Sequence, residues 1–132
     1  MLTPNNLITS KKDIMTKVLN IKSLNYLGTD RIYIGRANQQ YQLPESILSN
    51  PFLIGKDGTR AEVVEKYRKW LWSEHVKPFI EMDKSSPLIV ELLKLLRINE
   101  RREISLVCWC TPALCHGHII AKCLDFLAKE GY

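Results

Sequence analysis

The sequence predicts a small α/β domain with a layered sheet, and three observations support that prediction. Strand and helix patterns follow one another in the order β, β, loop, α, α, β, α. The segment ISLVCWC at 104–110 is apolar on both faces, as expected for a strand that is covered on both sides. The strand, turn and helix that come last have the form of one half of a doubly wound sheet.

Length and charge limit the class of protein. A chain of 132 residues suits a single hydrophobic core, and no apolar run approaches the ~20 residues that cross a bilayer. The N-terminus lacks the apolar stretch of a secretory signal, so we expect a cytoplasmic protein with no membrane partner. The net charge of +5 favours an anionic partner, such as a nucleotide or another small anion, and allows nucleic acid. Because Lys and Arg are spread along the chain, a solvated basic surface explains the charge as well.

Residues 1–16 are polar, and we expect a flexible N-terminal arm there and a single α/β domain over 17–132. Two strand patterns open this domain. KVLNIKSL at 17–24 alternates in character, and RIYIG at 31–35 is rich in β-branched and aromatic residues. The connection NYLGTD is short enough for the two strands to pair as a hairpin.

Residues 36–59 show no steady period, and Pro44, Pro51, Gly55 and Gly58 interrupt them. This pattern predicts a long loop. Loops of such length in small domains are usually functional or disordered.

The loop leads into a helix with a clear start signal. In TRAEVVEKYRKWLW, Thr59 and Glu62 have the spacing of a capping box. The helix can continue through His75 as far as Pro78. Four of its residues recur on one face, namely Val63, Tyr67, Trp70 and Leu71.

Two further helices are predicted. A Ser-Pro pair at 86–87 provides a cap and a first helical proline before LIVELLKLLR. HIIAKCLDFLAK at 118–129 is amphipathic, with Cys123 on its apolar face. His118 lies one step off that face, so we expect it, like His75, to be solvated.

All four cysteines and two of the three histidines fall in CWCTPALCHGHIIAKC. Strand geometry directs Cys108 and Cys110 to one face, with Cys110 nearer the open end of the strand. The Thr-Pro pair at 111–112 can cap and start the next helix, which puts Cys115 and His116 at or near its N-terminal turn. Unpaired N–H groups and the helix dipole stabilise a thiolate there.

This cluster is compatible with three roles. In a catalytic site, Cys110 or Cys115 is the thiolate and His116 is its base or charge partner. In a metal site, Cys108, Cys110, Cys115 and His116 bind zinc or another metal, although the paired C-x2-C pattern of common zinc sites is missing. In a purely structural role, the sulfur atoms pack in the core and His116 bonds a carbonyl.

Candidate ligand-binding residues lie elsewhere in the chain. Gly35 and Arg36 follow the second strand, and they would face the same crevice as 110–116 if that strand and the last one are parallel neighbours. Arg36, Lys56 and Arg60 offer donors for phosphate or carboxylate, and Asn50 offers an amide for a base or sugar. GKDGT also fits a solvent turn before a helix cap.

The motifs YIGR, NPF, IGKDGTRAEVVEKYRKWL and CWCTPALCHG occur in this order. With them the sequence resembles the bacterial and phage family catalogued as domain of unknown function 4326, over roughly residues 17–128. A fainter similarity links it to unknown-function family 488. The resemblance implies a small Rossmann-like three-layer sheet domain and lends no established reaction. The shared residues would be Gly35, Arg36, Asn50, Pro51, Lys56, Asp57, Gly58, Arg60, Cys108, Cys110, Pro112, Cys115, His116 and Gly117.

The leading hypothesis is a domain that binds a nucleotide or related phosphorylated ligand at the strand ends and acts on it through Cys110, Cys115 and His116. Its ligand-binding residues would be Gly35, Arg36, Asn50, Lys56, Asp57 and Arg60. The alternative is a non-catalytic module in which the Cys/His cluster holds a metal and the basic surface docks nucleic acid or a protein partner.

Overall fold

A computed structural model describes residues 16–22, 30–109, 113 and 115–132. These residues form a mixed α/β domain, as predicted, and none of their helices combines the length and apolar character needed to cross a membrane. In chain order the elements are β1 (Lys17–Asn20), β2 (Arg31–Tyr33), α1 (Arg60–Leu71), a π-helical segment (Trp72–Val76), α2 (Lys77–Met82), α3 (Pro87–Arg101), β3 (Ser105–Cys108) and α4 (His116–Lys129).

The three described strands form a parallel sheet in the order β1, β3, β2. Lys17 lies opposite Ser105 on one side of β3, and Arg31 lies opposite the same residue on the other side. The predicted hairpin between the first two strands is therefore wrong. β3 takes the central position because its side chains are apolar on both faces, and an apolar strand loses the most water contact between two neighbours.

Burial follows the same order. Leu106 and Val107 point to opposite faces of β3, and both are buried. Helix α4 packs against β1 and β3, and α1 and α3 in turn contact α4. The core of the described chain is therefore centred on β3 and α4, the two elements that flank the cysteine cluster.

Helices α1 and α3 begin where the sequence predicts. The Thr59 hydroxyl accepts from the Glu62 N–H at 3.3 Å, and the Glu62 carboxylate accepts from the Thr59 N–H at 3.0 Å, which completes the capping box. The Ser86 hydroxyl accepts from the Ile89 N–H at 3.2 Å at the start of α3. These bonds satisfy N–H groups that the first helical turn leaves without partners.

The expectation that the helix after Thr59 stops at Pro78 is wrong. The π-helical segment follows α1 directly, and α2 carries Pro78 in its first turn. In the π-helical segment the Lys77 N–H bonds the Trp72 carbonyl five residues back, and such a widened turn lets the run pass a proline that has no N–H to donate. The run ends only at Asp83, whose φ of 55° is left-handed.

Helix α4 begins later than the Thr-Pro pair at 111–112 suggests. Cys115 is its N-cap, with extended φ and ψ of −143° and 173°, and His116 is the first helical residue. Residues 111 and 112 lie outside the described residues. The expectation that Cys115 and His116 lie at or near the N-terminal turn of this helix is nevertheless confirmed.

Gly117 allows α4 to approach the sheet closely. A Cβ at this position would lie 2.9 Å from Ile34 Cδ1 and 3.0 Å from Val18 Cγ1. We expect Gly117→Val to lower the free energy of unfolding by about 1–3 kcal/mol, measured by urea denaturation, because the larger side chain overpacks this contact. Gly117→Ala should cost less, since the Ile34 methyl group can rotate away and Ala favours the helix. Equal stability of the Val and Ala variants would contradict this explanation.

The predicted N-terminal arm lies outside the described residues up to position 15. Thr16, at its boundary, is buried, and its hydroxyl donates to Asp125 Oδ1 at 3.0 Å. This bond ties the entry of β1 to helix α4.

Candidate functional site

A pocket with a volume of about 120 Å³ opens at the carboxyl ends of β2 and β3. Because β2 and β3 are parallel neighbours, the residues that follow them meet at this edge of the sheet. The starts of α1 and α4 complete the walls. Its lining residues are Gly35, Arg36, Asn50, Phe52, Ile54, Arg60, Val63, Val64, Cys108, Trp109, Cys115 and His116.

The pocket thus brings together two groups that the sequence places far apart. Gly35 and Arg36 come from the end of β2, and Cys115 and His116 come from the start of α4. Gly35 is needed at its position because a Cβ there would collide with the phenol of Tyr33. The Gly35 carbonyl in turn accepts from the Ser46 N–H at 2.9 Å, which holds the long loop against the strand end.

Arg36 and Asn50 build the wall of the pocket. The Arg36 guanidinium donates to the Phe52 carbonyl at 2.9 Å and also to the Asn50 carbonyl. The Asn50 amide donates to the Val63 carbonyl at 3.2 Å, and its oxygen accepts from the Phe52 N–H at 2.9 Å. Both side chains therefore hold the NPF segment in place. The Asn50 amide, which the sequence suggested for contact with a base or sugar, is engaged in these structural bonds.

The cationic and acidic residues of the loop separate into two groups. Arg60, the first residue of α1, lines the pocket, is exposed, and has no hydrogen-bond or ion-pair partner among the described residues. Lys56 and Asp57 are not among the lining residues. Asp57 accepts from the Leu53 N–H at 2.7 Å, so it closes the turn in which the exposed Lys56 lies. This geometry matches the solvent turn that the sequence allowed for GKDGT.

Cys108 and Cys115 meet in the wall of the pocket. Their Sγ atoms are 3.1 Å apart, and each residue is 1% exposed. Cys110, the third cysteine of the predicted cluster, lies outside the described residues. Cys123 sits in the core, as the sequence predicts, and burial raises its pKa to about 12.

His116 is a neutral imidazole at neutral pH. Its Nε2 lies 2.8 Å from the Ile34 carbonyl, and since a carbonyl only accepts, Nε2 carries the proton. Burial is the main reason that its pKa falls to about 4, and the positive charge of Arg36 lowers it further against the effect of the carbonyl bond. The ring also meets Tyr67 edge-on, with centroids 5.1 Å apart. A neutral ring cannot act as a cationic partner of a thiolate at pH 7.

His118 is not solvated, contrary to the sequence expectation, and His75 is solvated only in part. His118 is buried, and its Nδ1 accepts from the Cys115 N–H at 3.0 Å, because a side chain in the third helical position can fold back onto the cap. His75 is half-buried, and its Nδ1 lies 2.7 Å from the Ser86 hydroxyl. Burial lowers the pKa of His75.

The aromatic and aliphatic part of the pocket was not predicted from the sequence. The Trp109 indole N–H donates to the Tyr33 hydroxyl at 2.8 Å, and that hydroxyl donates to the Arg36 carbonyl. Phe52 and Ile54 add apolar surface from the long loop. Only the positions of these residues in the sequence could have indicated that they line the pocket, since Trp109 directly follows β3 and Phe52 belongs to the NPF segment.

A metal centre is not assembled by the described residues alone. Among them, no group of three or more His, Cys, Asp or Glu side chains is placed to hold a metal ion. Cys110 of the predicted ligand set is outside that part of the chain. His116 Nε2 is already engaged by the Ile34 carbonyl, so only its Nδ1 has a lone pair to offer a ligand.

The comparisons with known proteins identify the family. No curated protein and no solved structure matches the chain. A family model described as Domain of unknown function (DUF4326) matches residues 19–126. That span contains both strand ends, the NPF segment, α1 and the start of α4, which together form the pocket. Because the match covers most of the chain and confirms the resemblance drawn from its motifs, the protein belongs to the DUF4326 family.

Proposed function

We propose that this protein binds a nucleotide or a related phosphorylated ligand in the strand-end pocket and that the Cys/His cluster acts on it. The observation that carries the proposal is Arg60, an exposed cation on the pocket wall with no partner among the described residues. A guanidinium in this setting suits phosphate, because it offers two parallel N–H donors.

The other walls of the pocket suit the base of a nucleotide. Trp109, Phe52, Ile54 and Val63 supply aromatic and aliphatic surface within one pocket, of the kind on which a base packs. The position beyond the carboxyl ends of parallel strands is where α/β sheets commonly bind ligands. The burial of both faces of β3 supports a Rossmann-like three-layer arrangement as part of this proposal.

In the chemical step, Cys115 is the nucleophile of this proposal. As the N-cap of α4 it lies beside the N–H groups of the first turn, which favour a thiolate. His116 positions this turn through its bond to the Ile34 carbonyl. Cys110 remains a second candidate nucleophile. Cys108, Cys115 and Cys123 are in the reduced form, which fits a reducing compartment, and we propose a cytoplasmic location.

Arg60→Gln tests the binding step. In calorimetric titrations with adenosine and guanosine mono- and diphosphates, we expect this variant to bind about 10-fold to 100-fold more weakly, as a lost charged hydrogen bond would predict. Lys56→Gln is the matched control, because it removes the same charge from an exposed residue shortly before α1 that does not line the pocket. Its affinity should stay within about twofold of the wild type.

Equal losses in the two variants would show that only the general basic charge matters. Absence of nucleotide binding by the wild-type protein would overturn the proposal. Binding of an oligonucleotide with affinity that falls steeply with salt would instead favour the docking module that the sequence analysis kept as its alternative.

A further inference from the structure

We propose that Cys108 and Cys115 form a reversible disulfide when hydrogen peroxide enters the pocket, an oxidation that does not require the ligand of the proposed function. The two Sγ atoms are 3.1 Å apart, which is about 1 Å longer than the ~2.05 Å of a disulfide bond. Small side-chain movements therefore suffice to close the bond.

The backbone on both sides of the pair is held in place. Cys108 is the last residue of β3, which pairs with a strand on each side, and Cys115 is the N-cap of α4. The Cys115 N–H is bonded to His118, and Gly117 keeps this turn close to the sheet. The two sulfur atoms are thus kept near each other by the strand and the helix that carry them.

The burial of the two cysteines limits the size of the oxidant that can reach them. Each cysteine is 1% exposed, but both line the pocket, so an oxidant of about the size of water can reach them where a bulky disulfide cannot. Cys115 is the first to react, because the first turn of α4 stabilises its thiolate.

The chemistry balances with hydrogen peroxide as the oxidant. The Cys115 thiolate attacks one peroxide oxygen, the O–O bond breaks, and hydroxide leaves to form water, which yields a sulfenic acid. The Cys108 thiolate then attacks the Cys115 sulfur, the S–O bond breaks, and a second hydroxide leaves as water. Two thiols lose two electrons in total, and one peroxide is reduced to two water molecules. Dithiothreitol reverses the oxidation by thiol–disulfide exchange.

The test is a peroxide titration of the full chain, followed by alkylation of the remaining thiols and mass analysis of peptides. Trypsin together with chymotrypsin is needed, since cleavage after Trp109 and Leu114 separates the three clustered cysteines. We expect a Cys108–Cys115 cross-link that dithiothreitol removes, formed at least ~10-fold faster than any oxidation of Cys123. Cys123 is the internal control, because it is fully buried on α4 and not among the pocket residues.

Variants separate this pair from its neighbour. Cys110→Ser should form the Cys108–Cys115 cross-link within about twofold of the wild-type rate, whereas Cys108→Ser and Cys115→Ser should lose it. A cross-link through Cys110 in the wild-type protein, loss of oxidation in Cys110→Ser, or overoxidation of Cys115 without a disulfide would each overturn the proposal. The wild-type and Cys110→Ser results decide the matter even if the other variants fold poorly, and none of them depends on nucleotide binding.

Discussion

Tyr67→Ala is expected to lower the free energy of unfolding by about 3–5 kcal/mol, the usual cost of removing a large buried aromatic ring. Tyr67 is fully buried in α1, and its ring packs against the rings of His116 and Trp70, with centroids 5.1 and 5.5 Å away. Its hydroxyl donates to the Leu48 carbonyl at 2.8 Å, which ties the long loop to α1. The loss is measured by urea denaturation followed by circular dichroism.

Tyr67→Phe separates the ring from the hydroxyl. This variant keeps the packing but leaves the Leu48 carbonyl without its donor, so we expect a smaller loss of about 1–3 kcal/mol. Since Leu48 belongs to the loop that also supplies Phe52 and Ile54, amide hydrogen exchange of that loop should rise in Tyr67→Phe. A Phe variant as unstable as the Ala variant would show that the hydroxyl, and not the ring, carries the effect.

Acid is expected to destabilise the protein through His116. The imidazole takes up a proton near its ordinary pKa of 6.5 in the unfolded chain but only near about 4 in the folded protein. Between these values the unfolded chain binds more protons, so stability falls as pH falls, while above 6.5 the contribution is fully present. We expect about 2 kcal/mol of this loss between about pH 7 and 5, from the free-energy value of a shifted pKa.

The pH series is compared between the wild type and His116→Gln, which cannot titrate. The variant should lose most of the acid dependence in this pH range. The carboxylate of Glu65 titrates at lower pH, because the hydrogen bond from Arg68 lowers the pKa of Glu65. His75→Gln is the control and should change the slope less, because His75 is only half-buried. An unchanged slope in His116→Gln would exclude His116 as the source.

The parts of the fold that the sequence predicted are those with local signals. The capping box of Thr59 and Glu62 and the Ser-Pro start of α3 act through bonds within one helical turn, so the sequence alone contains the partners. Double-sided apolarity likewise identified β3 as a buried strand. Strand order was missed, because pairing between β1 and β3 joins residues about 90 positions apart and depends on long-range packing.

The roles of the site residues likewise depend on long-range packing, so the sequence predicted them only in part. The two arginines and the lysine near the pocket are the same chemical type in sequence, yet the fold gives them three settings: Arg36 bonds the NPF carbonyls, Lys56 lies in a turn, and Arg60 stands on the pocket wall. The burial of His118 was not predicted, because helical periodicity only assigns a residue to one face of the helix. In the first turn, a ring can also fold back and accept from the N–H of the N-cap residue. The role of each of these residues depends on its distance from residues that are remote in the sequence.

The central place of β3 also bears on the order in which the chain can fold during synthesis. In the described part of the chain, β1 and β2 each pair only with β3, which begins at Ser105, long after β2 ends at Tyr33. At about 5–20 residues per second, the first two strands emerge from the ribosome on the order of ten seconds before their partner. During that interval their apolar residues and backbone edges are open to chaperones, and the sheet can close only after β3 has been synthesised.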